Sequence, residues 1–433
     1  MKKESLSMSL ISKIAPAGQH LSEADSQRIV SAAAAAMGLR GKRVLVLLPD
    51  YTRTCPLPML TRQLHAAIAP TAAKLDFLIA LGTHPPMSEQ QIDRLVGAKA
   101  GERKKVFHNS QFFNHCWNDP AALTTLGTLP AAEIHKITGG LFEMDVPVTI
   151  NKLVFDYDVV LIAGPVFPHE VVGFSGGSKY FFPGICGGEL LNFFHWLGAV
   201  ITNPKIIGHK HTPVRATLEA AARMLKFEKF ALSMVVAEHE LAGMFFGEVR
   251  ESWSHAADLS DTLHIAYEDK PFASVLSAAP EMYDELWTGG KCMYKLEPVV
   301  ADGGELIIYA PHITHISAAH GKLIEKIGYH TRDYFLAQWD KFKHYPWGVL
   351  AHSTHVRGIG TYEKGVENCR IKVTLATGIS KALCRKINLG YRDPADINVA
   401  DWQGHEAAGR LYVPNAGERL YKLKNPPAWQ KAE

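Results

Sequence analysis

Apolar residues in this chain fall into short continuous runs separated by amphipathic stretches, the alternation expected of buried parallel strands and the helices that cover them. Arg43–Leu48 (RVLVLL), Leu75–Leu81 and Tyr157–Ala163 read as strands, the last because Val159 to Ala163 is apolar without a break. Between them the pattern predicts helices over Ser26–Leu39, from near Pro56, and from Ser88 to about Val96. A short strand is predicted over Lys105–Asn109, with His108 at its exit. Further on come a strand at Phe230–Ala237, a hairpin over Glu238–Val249 and helical periodicity over Ser254–Ala266. The polar, proline-containing segment Glu268–Phe272 marks a domain boundary. Beyond it the elements read as a second α/β unit: a helix over about Asp284–Leu296, a turn at Asp302-Gly303-Gly304 and a strand at Glu305–Ala310. The expected fold class is α/β in two domains, residues 1–270 and 271–415, with a loop-rich tail, 416–433, packing on the first.

Composition narrows the classes. At 47% hydrophobic and 21% charged residues the chain has an ordinary globular balance, and a net charge of +3 gives no reason to expect nucleic acid or an anionic membrane as partner. No apolar run approaches the ~18 residues that would span a bilayer. Six cysteines, Cys55, Cys116, Cys186, Cys292, Cys369 and Cys384, are scattered without a CxxC pair, which suits free thiols in a cytoplasmic protein.

The densest chemistry follows the strand at Tyr157–Ala163, in the stretch Ile162–Trp196 (IAGPVFPHEVVGFSGGSKYFFPGICGGELLNFFHW). Ligands of open α/β sheets bind beyond the carboxyl ends of strands. Gly173, Gly176 and Gly177 flank Ser175 and Ser178 and lead to Lys179. Such a turn can aim backbone N–H groups at a phosphate, or simply serve as a flexible entry to a helix. A P-loop is excluded, because Tyr180 stands where the metal-binding Ser or Thr should follow the lysine. Lys179 is then a point charge or a covalent attachment point. His169 and His195 bracket it, each beside aromatic residues. The loop after Arg43–Leu48 offers Asp50 and Arg53, a carboxylate suited to ribose hydroxyls and a guanidinium suited to a carboxylate or phosphate. Taken alone, Asp50 or Thr52 also reads as a cap for the helix beginning near Pro56.

The pattern Pro168-His169, Gly173-Phe174-Ser175-Gly176-Gly177-Ser178-Lys179, Pro183-Gly184 and His195, with Pro49-Asp50 and Thr52-Arg53, resembles the signature of the lactate racemase catalytic proteins. These are racemases and epimerases of 2-hydroxyacids that use a nickel-pincer nucleotide. The resemblance implies an active site in the cleft between two α/β domains. It implies that Lys179 carries the cofactor covalently, with Asp50, Ser175, Gly176 and Gly177 around it, and that His195 ligates the nickel. Square-planar nickel held by the cofactor's own sulfur and carbon donors needs only one protein ligand.

By the same resemblance His108 and His169 are the acid/base pair, with His115 competing for the first place and His84 in a supporting role. Arg53 and Lys291 would hold the substrate carboxylate. Cofactor-biosynthesis proteins would be partners. The chain departs from the lactate-type pattern at Trp287-Thr288, where those members have Tyr-Gln. A smaller Thr288 and the polar groups of His312, His315, His352, His355 and Arg357 point to a larger, polyhydroxylated acid of the aldonic type. Two other readings stay open here: a zinc hydrolase or lyase on His169, His195 and Glu170, and a non-catalytic carrier of the cofactor.

Overall fold

The computed structural model describes residues 9–431, which divide into two compact units. The first comprises the chain up to Phe167 with Ser175–Leu191 and Ala216–Leu263; the second comprises Pro168–Phe174, Asn192–Arg215 and the chain from His264. The division at 263/264 falls close to the expected boundary at 270. Two short stretches around Lys179, however, belong with the second unit, a non-contiguous arrangement that a linear pattern of hydrophobicity does not encode.

The first unit is built on a seven-stranded sheet whose strands run, edge to edge, Ile11–Ile14, Glu240–Gly247, Glu228–Ala237, Val159–Pro165, Arg43–Leu48, Lys74–Ile79 and Phe112–Asn114. The strands from Glu228–Ala237 to Phe112–Asn114 pair in parallel, and Glu240–Gly247 turns back antiparallel. Burial on both faces explains the uninterrupted apolar runs: Val44 to Leu48 and Val159 to Pro165 are buried throughout. The helix Glu23–Ala36 begins at a capping box in which Ser22 accepts from Asp25 N–H, three residues before the predicted start. Ser88 caps Glu89–Leu95 in the same way. Because the chain order reverses between Arg43–Leu48 and Val159–Pro165, the loops after these two strands lie at the sheet's switch point, where a ligand finds a crevice.

The second unit carries a five-stranded, all-parallel sheet in the order Gly390–Tyr391, Lys372–Thr377, Val300–Ala310, Phe272–Ala278 and Arg410–Val413. Three expectations change here. The predicted helix over Asp284–Leu296 is two short ones, Leu286–Gly289 and Lys291–Tyr294, because the Gly289-Gly290 pair interrupts it. Asp302 to Gly304 is not a turn but lies within the strand Val300–Ala310, where Gly303 takes φ +74° and the register shifts. The end of the chain contributes strands: Arg410–Val413, ahead of the expected tail, joins the sheet, and Leu420–Leu423, within it, pairs in parallel with Ile265–Glu268.

All six cysteines are free thiols. No helix among the described residues is long and apolar enough to cross a membrane.

Candidate functional site

At the switch-point edge of the first unit, Asp50 follows Arg43–Leu48 directly and is 4% exposed. Its carboxylate accepts from Thr52 N–H at 3.0 Å, from the Thr52 hydroxyl at 2.6 Å, and from Nδ1 of His84. Asp50 and Thr52 are thus tied to each other, and the helix Leu57–Ile68 has no side-chain cap. Burial alone would raise the Asp50 pKa, but His84, Arg53 and Thr52 together hold it well below the usual carboxylate range. The partly exposed ring of His84 turns Nδ1 to Asp50, which leaves Nε2 on the far side of the ring from the carboxylate.

The turn bearing the lysine closes the same place from the side of Val159–Pro165. Lys179 lies half-buried in the 3₁₀ turn Gly177–Tyr180. The next residue, Tyr180, is 8% exposed, and its hydroxyl is pushed up by burial and by the charges of Cys55 and Asp50, against the pull of Arg53. The Tyr180 ring lies against Gly164 of the strand Val159–Pro165. It fits because Gly164 has no side chain: a Cβ there would stand 1.6 Å from the Tyr180 oxygen.

The glycines and Ser175 have internal work. Gly176 and Gly177 take φ of +80° and +58°, and a Cβ on either would meet Val166 at 2.6 Å or Trp253 at 2.8 Å. Trp253 donates its indole N–H to the Ser175 carbonyl at 2.8 Å. The Ser175 hydroxyl accepts from Phe167 N–H at 2.9 Å and reaches the Pro165 carbonyl at 3.3 Å. These three residues shape the turn that presents Lys179.

The strand expected before His108 does not form. Arg103–Val106 is a helix, not the start of a strand, and His108 is exposed on the turn behind it, its ring 5.0 Å from that of His65. It precedes the strand Phe112–Asn114, so it stands at the amino-terminal edge of a parallel sheet, opposite Asp50 and His84. The three-residue strand that follows was too short to be read from hydrophobicity. His115 lies past that strand at the correct edge, but it is fully buried, with Nε2 at 3.0 Å from the Cys186 carbonyl and Nδ1 accepting from Asn151 at 3.2 Å. The signal for His84 was present in the sequence: like Asp50, it lies in the loop that follows a central strand.

In the second unit, His169 is 7% exposed in the small antiparallel pair Pro168–His169 and Gly173–Phe174. Its Nδ1 accepts from Val171 N–H at 3.2 Å and lies 3.3 Å from the Glu170 carboxylate. Gly173 needs its φ of +83° and its missing side chain, because a Cβ would come 1.8 Å from the His209 carbonyl. His195 is half-buried on the helix Gly188–Ile201, its ring stacked on Phe194 at 4.4 Å.

His352, on Trp347–Arg357, is pushed down to about 3 by burial first, with His355, His320 and His195 among the neighbouring charges that add to it. Its ring lies flat on Trp287, centroids 3.8 Å apart, and His320 packs on the same indole at 4.5 Å. Trp287, His320 and His352 are thus brought together. The Thr288 hydroxyl donates to the Glu285 carbonyl at 3.0 Å, and the Lys291 ammonium sits 4.6 Å from the centre of the Tyr283 ring. His312 and His315 are exposed, which removes them from the expected polar pocket; Arg357 bonds the Asn388 carbonyl.

Burial holds His115 and His355 neutral, each down to about 4, with the bond to Cys186 opposing the shift in His115. In the unfolded chain they protonate near 6.5, so between ~4 and ~6.5 the unfolded state binds more protons and stability rises with pH. The melting temperature is therefore expected to be level above pH ~6.5 and to fall on acidification toward ~4, each histidine contributing up to ~1.4 kcal/mol per pH unit. Calorimetry across pH 5 to 8 checks this, and a flat profile would contradict it.

Residues 3–206 match the family model described as the lactate racemase N-terminal domain. The chain therefore resembles the lactate racemases over a little under half of its length. It is 26% identical over 280 residues to the lactate racemase of Lactiplantibacillus plantarum, and 26% identical over 279 residues to that of Thermoanaerobacterium thermosaccharolyticum. The aligned parts span 61% and 60% of these relatives' own lengths. A crystal structure of a Thermotoga maritima protein superposes with a TM-score of 0.85 at 34% identity, covering 94% of this chain and 99% of that one. The lactate racemase apoprotein from T. thermosaccharolyticum superposes at 0.69 and 18% identity, covering 92% and 93%, which supports the shared α/β fold.

Among the described residues no group of three or more His, Cys, Asp or Glu side chains is placed to hold a metal ion. The zinc alternative on His169, His195 and Glu170 therefore has no ready ligand set among them.

Proposed function

We propose that this chain is a racemase or epimerase that inverts C2 of a 2-hydroxyacid. The observation that carries the reading is the Asp50–His84 pair at the sheet's switch point, where the strand Val159–Pro165 that leads toward the Lys179 turn pairs with Arg43–Leu48. A nickel-pincer nucleotide fits the residues present: Lys179 offers a half-buried amine on a rigid turn, and His195 offers a single imidazole as nickel ligand. When bound, this group supplies an acceptor for the C2 hydride, which leaves the substrate as a 2-oxoacid that can be reduced again on either face.

The chain's own residues bind the acid and move its hydroxyl proton. Arg53 and Lys291 hold the carboxylate, Arg53 through its planar fork and Lys291 as a point charge. His84 replaces His108 as partner of His169 in proton transfer: Asp50 fixes its tautomer, so that Nε2 is the basic atom. Trp287, stacked under His352, and the small Thr288 form a wall that favours an acid larger and more hydroxylated than lactate. Six unpaired thiols suit a reducing cytoplasm, where the proteins that make the cofactor would load it.

Co-expression with cofactor-making enzymes followed by intact-mass analysis tests the assignment. The protein is expected to gain the mass of the cofactor and to bind nickel, and His195→Ala to lose the nickel while keeping the organic adduct. A protein that never gains mass under loading conditions would refute it. Substrate scope is tested on loaded protein: epimerisation of aldonic acids ahead of lactate is expected, and turnover of lactate or malate alone contradicts the preference.

A further inference from the structure

The second unit contains a small pocket of about 40 Å³, lined by Thr202, Asn203, Glu297, Arg332, Thr354 and His355 together with the Gly358–Gly360 backbone. That is room for roughly three water-sized groups. Four of these side chains are nine-tenths or more buried, and three of them, Glu297 at 0% exposure, Asn203 at 3% and His355 at 5%, each keep one polar atom without a partner: Glu297 Oε2, Asn203 Oδ1 and His355 Nε2. Their placement is not accidental slack. Asn203 is anchored by its Nδ2, which donates to the Tyr294 carbonyl at 2.9 Å, and Glu297 by its Oε1, which accepts from Ile359 N–H at 2.8 Å. Thr202 holds φ +89°, an unusual backbone for a β-branched residue and one that persists only where the surroundings impose it.

The lining decides what fits. Two orphan oxygens need donors, so a bare anion is excluded. The Arg332 guanidinium in the wall, already bonded to Asp333 at 2.8 Å and to the Val200 carbonyl at 2.8 Å, disfavours a bare cation. Neutral hydroxyl groups, which donate and accept, satisfy both conditions.

The pocket's position points to the source of those hydroxyls. His195, Ala199 and Thr202 fall at i, i+4 and i+7, on one face of the helix Gly188–Ile201 and the residue that follows it. His352 and His355 fall at i and i+3 on Trp347–Arg357, and His355 lines the pocket. Both rows lead to the pocket, which begins about one helical turn, ~5.4 Å, beyond His195. Lactate's methyl group is too short for that reach; the extended chain of an aldonic acid is not.

We propose that this pocket receives the distal hydroxyls of a polyhydroxylated 2-hydroxyacid, with Asn203, Glu297 and His355 as acceptors. The inference rests on the reading of His195 as the nickel ligand and names the substrate class of that same site. Calorimetry on cofactor-loaded protein with a six-carbon aldonic acid and with lactate tests it. In Glu297→Gln and Asn203→Ala the aldonate-to-lactate affinity ratio is expected to fall about tenfold, as a lost charge-assisted or buried hydrogen bond would give. The loss should appear in KM more than in kcat, and thermal melts report whether either variant is misfolded; Glu297→Gln preserves the shape.

An unchanged ratio, no saturable aldonate binding by the wild type, or an aldonate complex whose pocket holds only water overturns the proposal. Intact mass on the same samples separates the two readings. An adduct present with the ratio unchanged defeats the tail site alone, whereas an absent adduct defeats the function proposed above and this inference with it.

Discussion

Lys179→Ala is expected to yield a folded protein with no covalent adduct and no detectable racemisation. The side chain sits on a turn whose shape comes from elsewhere: Gly176 and Gly177 against Val166 and Trp253, the Ser178 hydroxyl on Glu219 at 2.9 Å, and Tyr180 over Gly164. Removing the half-buried amine leaves those contacts in place, so the loss falls on chemistry and not on folding. A tether converts capture of the cofactor into an intramolecular event, and effective molarities of about 10⁵ M or more cannot be matched by free cofactor at cellular concentration. Lys179→Arg separates tether from charge. Arginine keeps the cation and would preserve a purely electrostatic site, but it cannot form the same covalent link. Intact mass and turnover of both variants decide between these roles: activity retained in Lys179→Arg would mean that the lysine acts as a point charge.

The central strands of the first unit were legible because burial on both faces writes itself as an unbroken apolar run, as in Arg43–Leu48, which the structure reproduces residue for residue. Caps were less legible: the helix expected from Ser26 begins at Glu23 behind the Ser22 cap, and the cap read at Asp50 or Thr52 does not form. What local pattern could not supply was anything fixed by distant parts of the chain. The edge strand Phe112–Asn114 is three residues long and owes its existence to pairing with Lys74–Ile79, so the neighbouring Lys105–Asn109 was taken in its place. The strand Arg410–Val413 forms because Phe272–Ala278 presents an open edge for it. Likewise, the glycines before Lys179 read equally as a phosphate cradle or as a tight turn. Trp253, more than seventy positions away in sequence, shows that close packing requires them.

The same limit governed the histidines. Motif spacing singled out His169 and His195, since both lie in one stretch with the lysine, but the choice among His84, His108 and His115 depends on which edge of the sheet each occupies. Strand polarity guides that choice. Residues after a strand of a parallel sheet reach the ligand edge, as Asp50 and His84 do, and residues before one do not.

That difference sets the second large effect. His84→Gln is expected to lower turnover by about 10²–10⁴-fold while leaving the adduct on Lys179 and the nickel content intact, the range for loss of a positioned general base. His108→Gln, exposed and set against His65, is expected to turn over at the wild-type rate. Asp50→Asn should fall between them. Its amide can still accept one hydrogen bond but no longer favours the Nδ1–H tautomer of His84 or balances Arg53, so part of the His84 population presents a protonated Nε2. The pH–rate profile distinguishes this from simple misfolding: the limb belonging to the base should vanish in His84→Gln and move in Asp50→Asn. If His108→Gln instead proves inactive with its adduct in place while His84→Gln remains active, the proton passes through the other edge of the sheet and the assignment drawn from strand polarity fails.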